Sequence, residues 1–523
     1  MIQVLSLDSS NEEKSSMKKM IPSMVLVFIL LSSSPGVYTQ NHSDEKTIHS
    51  AGELDDFILK TMRQRHIPGL SASLVIEDIV RWQKGYGSAD INQNISVTND
   101  TLFKIASVSK TITATALMQL YEQGYFDLSD PINVYLPYPV IHPRYPSTNI
   151  TFHMLLTHSS GIIDNWQYLF YFDGDAPISF QMFLEEYLVP GGQYYDPENN
   201  FGSWQPGTRC QYSNIAVALV GYLVEVITGM NFTDYIESFV FSPLEMNESA
   251  WFLRDLNVSH IAMPYQWNGI DYIPYGHIGY VDVPAGDLRT SSSQLIHFLT
   301  MFINNGSYNE QRVLQNSTVQ LMLSPQLPFQ PNIGLIFWKS TIGGRTVWGH
   351  YGADFGAQAM MHFEPATHIG VVVLCNGEAD LTVISDAIFD YAETLSNSPP
   401  ETPQRPSGSV QGKINVEYSY NSETTDPDYN LIYYQWDWGD GNNSGWFGPY
   451  NSGDLISTTH KWTVKGSYSI KVKAKDMFGS ESLWSNPLPV TMPYSYKPMP
   501  LFLEWLFERF PNAFPILKQL LGY

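Results

Sequence analysis

Ser107-Val108-Ser109-Lys110 places a hydroxyl and an amine three residues apart. On a helix that spacing puts both side chains on one face, so the amine reaches the hydroxyl, and the helix N-terminus favours negative charge developing there. A lysine that is neutral or shares its proton can then activate the serine as a nucleophile. The Ser-x-x-Lys pattern occurs four times in this chain, beginning at Ser15, Ser16, Ser43 and Ser107. For an isolated pair, a capping serine with a solvated lysine is the more ordinary reading. Context singles out the fourth pair. Tyr212-Ser213-Asn214, introduced by Gln205-Pro206-Gly207-Thr208, offers a phenol whose ordinary pKa of about 10 is brought toward use by a cationic neighbour such as Lys110. Gly349-His350-Tyr351-Gly352-Ala353 offers a glycine-rich stretch suited to close backbone approach by a ligand, although His-x-Gly recurs at His277 and His368.

The flanking pattern supplies elements to hold these groups. Leu70–Ile76 and Ile369–Leu374 read as strands. Ser107 to Gln123 reads as a helix with apolar positions at Val108, Ile112, Ala116 and Leu120, ended by Gly124, and Ser107 stands in its first turn. Ile215–Ile227 reads as a second, more apolar helix directly after Tyr212-Ser213-Asn214.

The order of these motifs along residues 47–395 resembles the class C β-lactamase-like serine hydrolases, which include penicillin-binding proteins, D-aminopeptidases, DD-carboxypeptidases and esterases. Phe103-Lys104-Ile105-Ala106-Ser107, Leu155-Leu156-Thr157-His158-Ser159-Ser160-Gly161, Pro206-Gly207-Thr208, Pro243-Leu244-Glu245-Met246 and Pro284-Ala285-Gly286-Asp287-Leu288 carry it together with the three chemical motifs. The resemblance implies an α/β domain whose sheet is flanked by helices, with an all-helical region inserted between the sheet's parts. It implies an acyl-enzyme on Ser107, with Lys110 and Tyr212 relaying its proton. Asn214 would hold the substrate's amide or carbonyl, and the backbone N–H groups of Ser107 and Ala353 would form the oxyanion hole. Such chemistry requires neither metal nor cofactor. True β-lactamases of this class usually carry Lys-Thr-Gly where this chain has His350-Tyr351-Gly352. A neutral imidazole is a weaker anchor for an antibiotic's carboxylate than an ammonium, so ester or peptide-like substrates are favoured over β-lactams. The alternative from another class is a binding protein that keeps the hydrolase fold without turnover, against which the retained serine, lysine and tyrosine argue.

Organisation along the 523 residues fits an exported, multi-domain protein. Lys18 and Lys19 precede the apolar run Met24–Leu31 and then Ser32-Ser33-Ser34-Pro35-Gly36, the order of a secretory signal within residues 1–40. Ten Asn-x-Ser/Thr triplets, from Asn41 to Asn442, are candidate glycan acceptors in a secreted or extracellular protein. Cys210 and Cys375 allow one disulfide at most with each other, and both read as packing residues. Residues 396–408 form a proline-rich polar linker. Residues 409–493 read as a small immunoglobulin-like β-sandwich and resemble a PKD domain through Trp436-Asp437-Trp438-Gly439-Asp440-Gly441, His460-Lys461-Trp462 and Gly466-Ser467-Tyr468. Asp437 and Asp440 could ligate calcium, but turn-shaping is the expected role. Residues 498–523 predict an amphipathic helical tail, with Glu504 and Glu508 opposite Phe502, Leu503, Leu506 and Phe510. Packing on the neighbouring module is its expected use. Cell-surface or membrane association would come through this tail and the sandwich. The net charge of −23, from 51 acidic and 28 basic residues, disfavours nucleic acid as a partner and leaves a small-molecule or peptide-like substrate.

Overall fold

A computed structural model describes residue 48, residues 50–494 and residues 501–509. The expected secretory signal lies outside the described residues. The chain divides into two compact units that meet in sequence at residues 393 and 394.

The first unit is built on one antiparallel sheet. Helix α1 (Ala51–Arg65) leads into strands β1 (Gly69–Ile76), β2 (Ile79–Asp90) and the short β3 (Ile95–Ser96). Near the end of the unit, β4 (Trp338–Ile342), β5 (Arg345–Asp354), β6 (Ala357–Glu364) and β7 (Ile369–Cys375) complete it in the spatial order β4-β5-β6-β7-β1-β2-β3. β1 and β7 are the central pair, in register from Leu70 opposite Cys375 to Ile76 opposite Ile369. Their two-residue alternation serves two buried faces rather than one. Leu70, Ala72, Leu74, Val371 and Val373 pack with Leu54 and Ile58 of α1 on one side, while Val75, Val372 and Leu374 join a larger core on the other. The polar interruptions in β1 are satisfied by the first residue of a helix packed on the sheet: the Ser71 and Ser73 hydroxyls lie 2.7 and 3.0 Å from Ser292 Oγ. Both strands read from the sequence form where expected, because fully buried strands keep near-continuous apolar character.

The region between β3 and β4 is mainly helical, so the unit has the α/β architecture with an inserted helical part that the sequence implies. Its centre is α2 (Ser109–Glu122), in which every residue from Ser109 to Leu120 is buried. The sequence pattern predicts one apolar stripe, but the helix is enclosed all round. Its threonines tolerate burial by donating to carbonyls: Thr111 to Val108 O at 2.7 Å, Thr115 to Thr111 O at 2.9 Å and Thr113 to Pro284 O at 2.7 Å. Helix α3 (Asn214–Thr228) lies against α2, capped at its start by Ser213 Oγ, which accepts from the Ala216 N–H at 3.0 Å, and at its end by Gly229 at φ 71°. Two further helices, α4 (Ser292–Ile303) and α5 (Thr382–Ser396), flank opposite faces of the sheet through Leu299 and Ile388.

The second unit is a β-sandwich. One sheet joins Ser407–Gly408, Tyr418–Ser422 and Ile456–His460. The other runs in the order Gln411–Lys413, Leu488–Tyr494, Gly466–Asp476, Ile432–Asp437 and Phe447–Tyr450. Trp436, Trp438 and Trp462 fill the core between them with Ile470 and Val472. Asp437 and Asp440 shape the intervening turn: their carboxylates accept from Gly439 N at 2.9 Å and Asn442 N at 3.0 Å, and Asp440 also binds His460 Nε2 at 2.9 Å. The proline-rich linker is not a free tether along its whole length. The N–H groups of Glu401 and Gln404 each donate at 2.9 Å to Thr425 O and Glu423 O of this unit. A helix spans Leu501–Arg509, with Phe507 buried and Trp505 half-exposed; the rest of the expected tail, including Phe510, lies outside the described residues. Among the described residues no single helix is long and apolar enough to cross a membrane.

Candidate active site

Ser107 does not begin the α-helix itself. It occupies a single 3-10 turn, Ala106–Val108, that runs directly into α2, and Ala106 is held at φ 46° in the left-handed region. The tighter turn still delivers the predicted pair: Lys110 Nζ donates to Ser107 Oγ at 2.9 Å and to Ala285 O at 2.5 Å. Lys110 is fully buried, and this burial lowers its pKa to about 8 against the opposing pull of Asp282, Asp164 and Asp354. A lysine at that value is partly neutral near physiological pH and can accept a proton.

Tyr212 stands beside this pair, with Lys110 Nζ 5.0 Å from its ring centre. Its environment reverses one sequence expectation. Burial pushes the phenol well above its ordinary value, with only the Ser107 hydroxyl pulling it down, so a lysine neighbour does not bring it into the neutral range. Desolvation of the phenolate dominates, and the neighbouring Asp164 and Asp282 carboxylates add to it. The Tyr212 hydroxyl faces Ser107 and, among the described residues, makes no close hydrogen bond to any other group.

Two residues without a role in the sequence reading hold Tyr212 in place. His158 supports its segment from two atoms: its carbonyl accepts the Gln211 N–H at 2.7 Å and its Nδ1 accepts the Ser213 N–H at 3.2 Å, with the imidazole 4.4 Å from the phenol ring centre. Burial and the nearby Lys110 push the His158 pKa well below its usual value, so it stays neutral and can accept. Asp164 gathers the start of α3, accepting from Ser213 Oγ at 3.1 Å, Asn214 N at 3.0 Å, Asn214 Nδ2 at 3.0 Å and Ile215 N at 3.1 Å. The carboxylate therefore caps the helix and fixes the Asn214 side chain at once.

Strand β5 closes the site from the sheet. β4 pairs with it only as far as Gly349, so among the described residues the edge from His350 to Asp354 has no strand partner on that side. Gly352 lies against the nucleophile turn: a Cβ there would stand 2.2 Å from Ile105 O and 3.1 Å from Ser107 N. Lys104 locks the arrangement, its amine lying 2.9 Å from Asp287, 2.8 Å from Asp354 and 3.0 Å from Ile278 O. Gly352→Ala is expected to lower kcat about 100-fold, because displacing the turn by a fraction of an ångström to an ångström misplaces Ser107; steady-state kinetics beside thermal unfolding checks it, and an unchanged kcat would show that the close approach is dispensable.

These groups surround a cleft lined by Ser107, Trp166, Leu169, Asn214, Asp282, Ala353 and Phe355, among others. Of the residues expected to meet substrate, Asn214 and Ala353 line the cleft, while His350 and Gly352 are buried and are not among its lining residues. Gly352 has no side chain to project. The His350 ring is buried 6.3 Å from the ring of Tyr212; its Nδ1 lies 2.6 Å from Tyr351 O and its Nε2 has no hydrogen-bond partner among the described residues. Burial, with Lys110 adding repulsion, lowers the His350 pKa to about 3, so the imidazole is uncharged at physiological pH. Cys210 and Cys375 are free thiols, raised by burial to about 11 and about 12, and neither joins the cleft. Among the described residues no group of three or more histidine, cysteine or acidic side chains could hold a metal ion.

Residues 54–393 match the family model Beta-lactamase, and residues 404–487 match PKD domain. Among curated proteins, Protein flp of Staphylococcus aureus is 24% identical over 333 residues, 63% of this chain; the chain spans 64% of that relative, less than two thirds of its length. Penicillin-binding protein 4* of Bacillus subtilis is 24% identical over 351 residues, 64% of this chain and 74% of its own. Among solved structures, the penicillin-binding protein from Bacillus halodurans superposes with a TM-score of 0.52 at 25% identity, covering 64% of this chain and 98% of that one. With its catalytic-type motifs gathered at one cleft and well over half its length matched, the chain belongs to the β-lactamase family of serine hydrolases and carries a PKD domain after the hydrolase domain.

Proposed function

We propose that this protein is an exported hydrolase of esters or amides that works through an acyl-enzyme on Ser107. The observation that carries the reading is the 2.9 Å contact between Ser107 Oγ and a buried amine whose pKa is lowered to about 8. Ser107 Oγ attacks the carbonyl carbon while its proton passes to Lys110. The backbone N–H groups of Ser107 and Ala353 stabilise the oxyanion, and Asn214 orients the substrate's amide or carbonyl. The intermediate then expels the alcohol or amine, which takes a proton through the Tyr212 hydroxyl, and water releases the acyl group by the reverse relay. The neutral His350 provides no cationic anchor for a substrate carboxylate, which favours substrates less acidic than penicillins and cephalosporins.

A panel of p-nitrophenyl esters, D-amino-acid amides and nitrocefin tests this. Short esters or amino-acid amides are expected to be hydrolysed with at least about tenfold higher kcat/KM than nitrocefin, the scale of a single charge-assisted hydrogen bond. Faster nitrocefin turnover would overturn the substrate assignment, and failure of a fluorophosphonate probe to modify Ser107 would overturn the acyl-enzyme.

A further inference from the structure

Four carboxylates lie around the nucleophile, and three of them are occupied. Asp164 accepts four hydrogen bonds at the start of α3. Asp287 faces Lys104 and accepts from the Tyr280 N–H, while Asp354 faces Lys104 and accepts from the Tyr280 hydroxyl and the Phe355 N–H. Asp282 differs. Its residue is only 8% exposed, yet it lines the same cleft as Ser107, and among the described residues no other residue donates a hydrogen bond to its carboxylate or pairs with it as an ion. A buried carboxylate facing a cavity without a donor is an acceptor waiting for one. The rest of the wall is of a different kind: Trp166, Leu169 and Phe355 are apolar or aromatic.

We propose that Asp282 receives a protonated amine of the substrate, making it a specificity-determining residue for esters and amides whose acyl part carries an ammonium beside a compact apolar substituent. This rests on the acyl-enzyme reading for its catalytic meaning, since the ammonium must sit close to the carbonyl that Ser107 attacks. The chemistry of the site favours a cation over any other donor. Burial and the neighbouring Asp164 and Asp287 raise the Asp282 pKa to about 7, with Lys110 opposing, so a further positive charge beside it would stabilise the ionised form. An ammonium supplies that partner and gains a charge-assisted hydrogen bond in a poorly hydrated setting. A carboxylate-bearing ligand would meet repulsion at the same place.

The test is an isosteric pair. Alanine p-nitroanilide, in both enantiomers, and isobutyryl p-nitroanilide differ by an ammonium in place of a methyl group. At pH 7 the wild-type protein is expected to prefer the alanine compound by at least about tenfold in kcat/KM, expressed mainly in KM. Asp282→Asn is expected to bring that ratio to near unity, while Asp282→Glu, which keeps the charge, retains part of it. Binding of the same pair to the Ser107→Ala protein, measured by calorimetry, reads the discrimination without turnover. No preference in either measurement, or a preference unchanged in Asp282→Asn, overturns the assignment, and if that variant does not fold, the wild-type and Glu ratios decide it. Selective binding without a fluorophosphonate adduct at Ser107 would sink the acyl-enzyme and leave Asp282 standing; an adduct without selectivity would do the reverse.

Discussion

Turnover falls by about 10⁴-fold or more when Ser107 is replaced by alanine, on the scale seen when a nucleophile that works as a unit with its base is removed. The size follows from the arrangement of the site. Lys110 donates to one hydroxyl and one carbonyl, Ser107 Oγ and Ala285 O. Without the hydroxyl the amine has no covalently held nucleophile to deprotonate. Binding should survive, because Asn214, Asp282 and the aromatic walls are untouched. The checks are kcat on the best substrate of the panel and mass spectrometry of the fluorophosphonate adduct. A loss smaller than about tenfold would move the chemistry away from Ser107.

The second large effect is at Lys110. If its neutral amine is the base, activity is carried by the deprotonated form, so kcat/KM for an uncharged ester should rise tenfold per pH unit below about 8 and level off above it. The direction is fixed by the cause. Burial penalises the ammonium more than Asp282, Asp164 and Asp354 support it, so the proton leaves well below the usual lysine value of 10.5. Lys110→Met is expected to cost at least about 10³-fold and to abolish that rise with pH. Lys110→Arg should not restore activity, since a guanidinium keeps its proton throughout this range. A wild-type profile that is flat between pH 6 and 9, or an active arginine variant, would exclude the neutral amine as base.

Several parts of this site were legible in the sequence because they depend on local spacing. Ser107 and Lys110 are one helical turn apart, so any helix or tight turn brings them together. Tyr212-Ser213-Asn214 announces itself by its position before a long apolar helix, and Ser213 does cap that helix. The strands at residues 70–76 and 369–374 were readable from continuous apolar runs. What escaped depends on tertiary placement. Asp164 is a lone acid after Gly161-Ile162-Ile163, and its four donors come from residues about fifty positions away. His158 was visible within a motif, yet its support of residues 211–213 needs the loop at residue 158 folded against them. Asp282 carries no spacing signal at all. The expectation for the Tyr212 phenol failed for a related reason: sequence shows which charges accompany it but not how thoroughly water is excluded.

Ala106 has one more implication. An L-residue at φ 46° holds a backbone shape that costs about 1 kcal/mol and that glycine would adopt freely. With a methyl group there, the segment has fewer alternative shapes to wander into, so the serine is kept on station before any visitor arrives. A glycine at 106 would relax the local tension and lend the nucleophile slack, trading a more comfortable resting protein for a less punctual one.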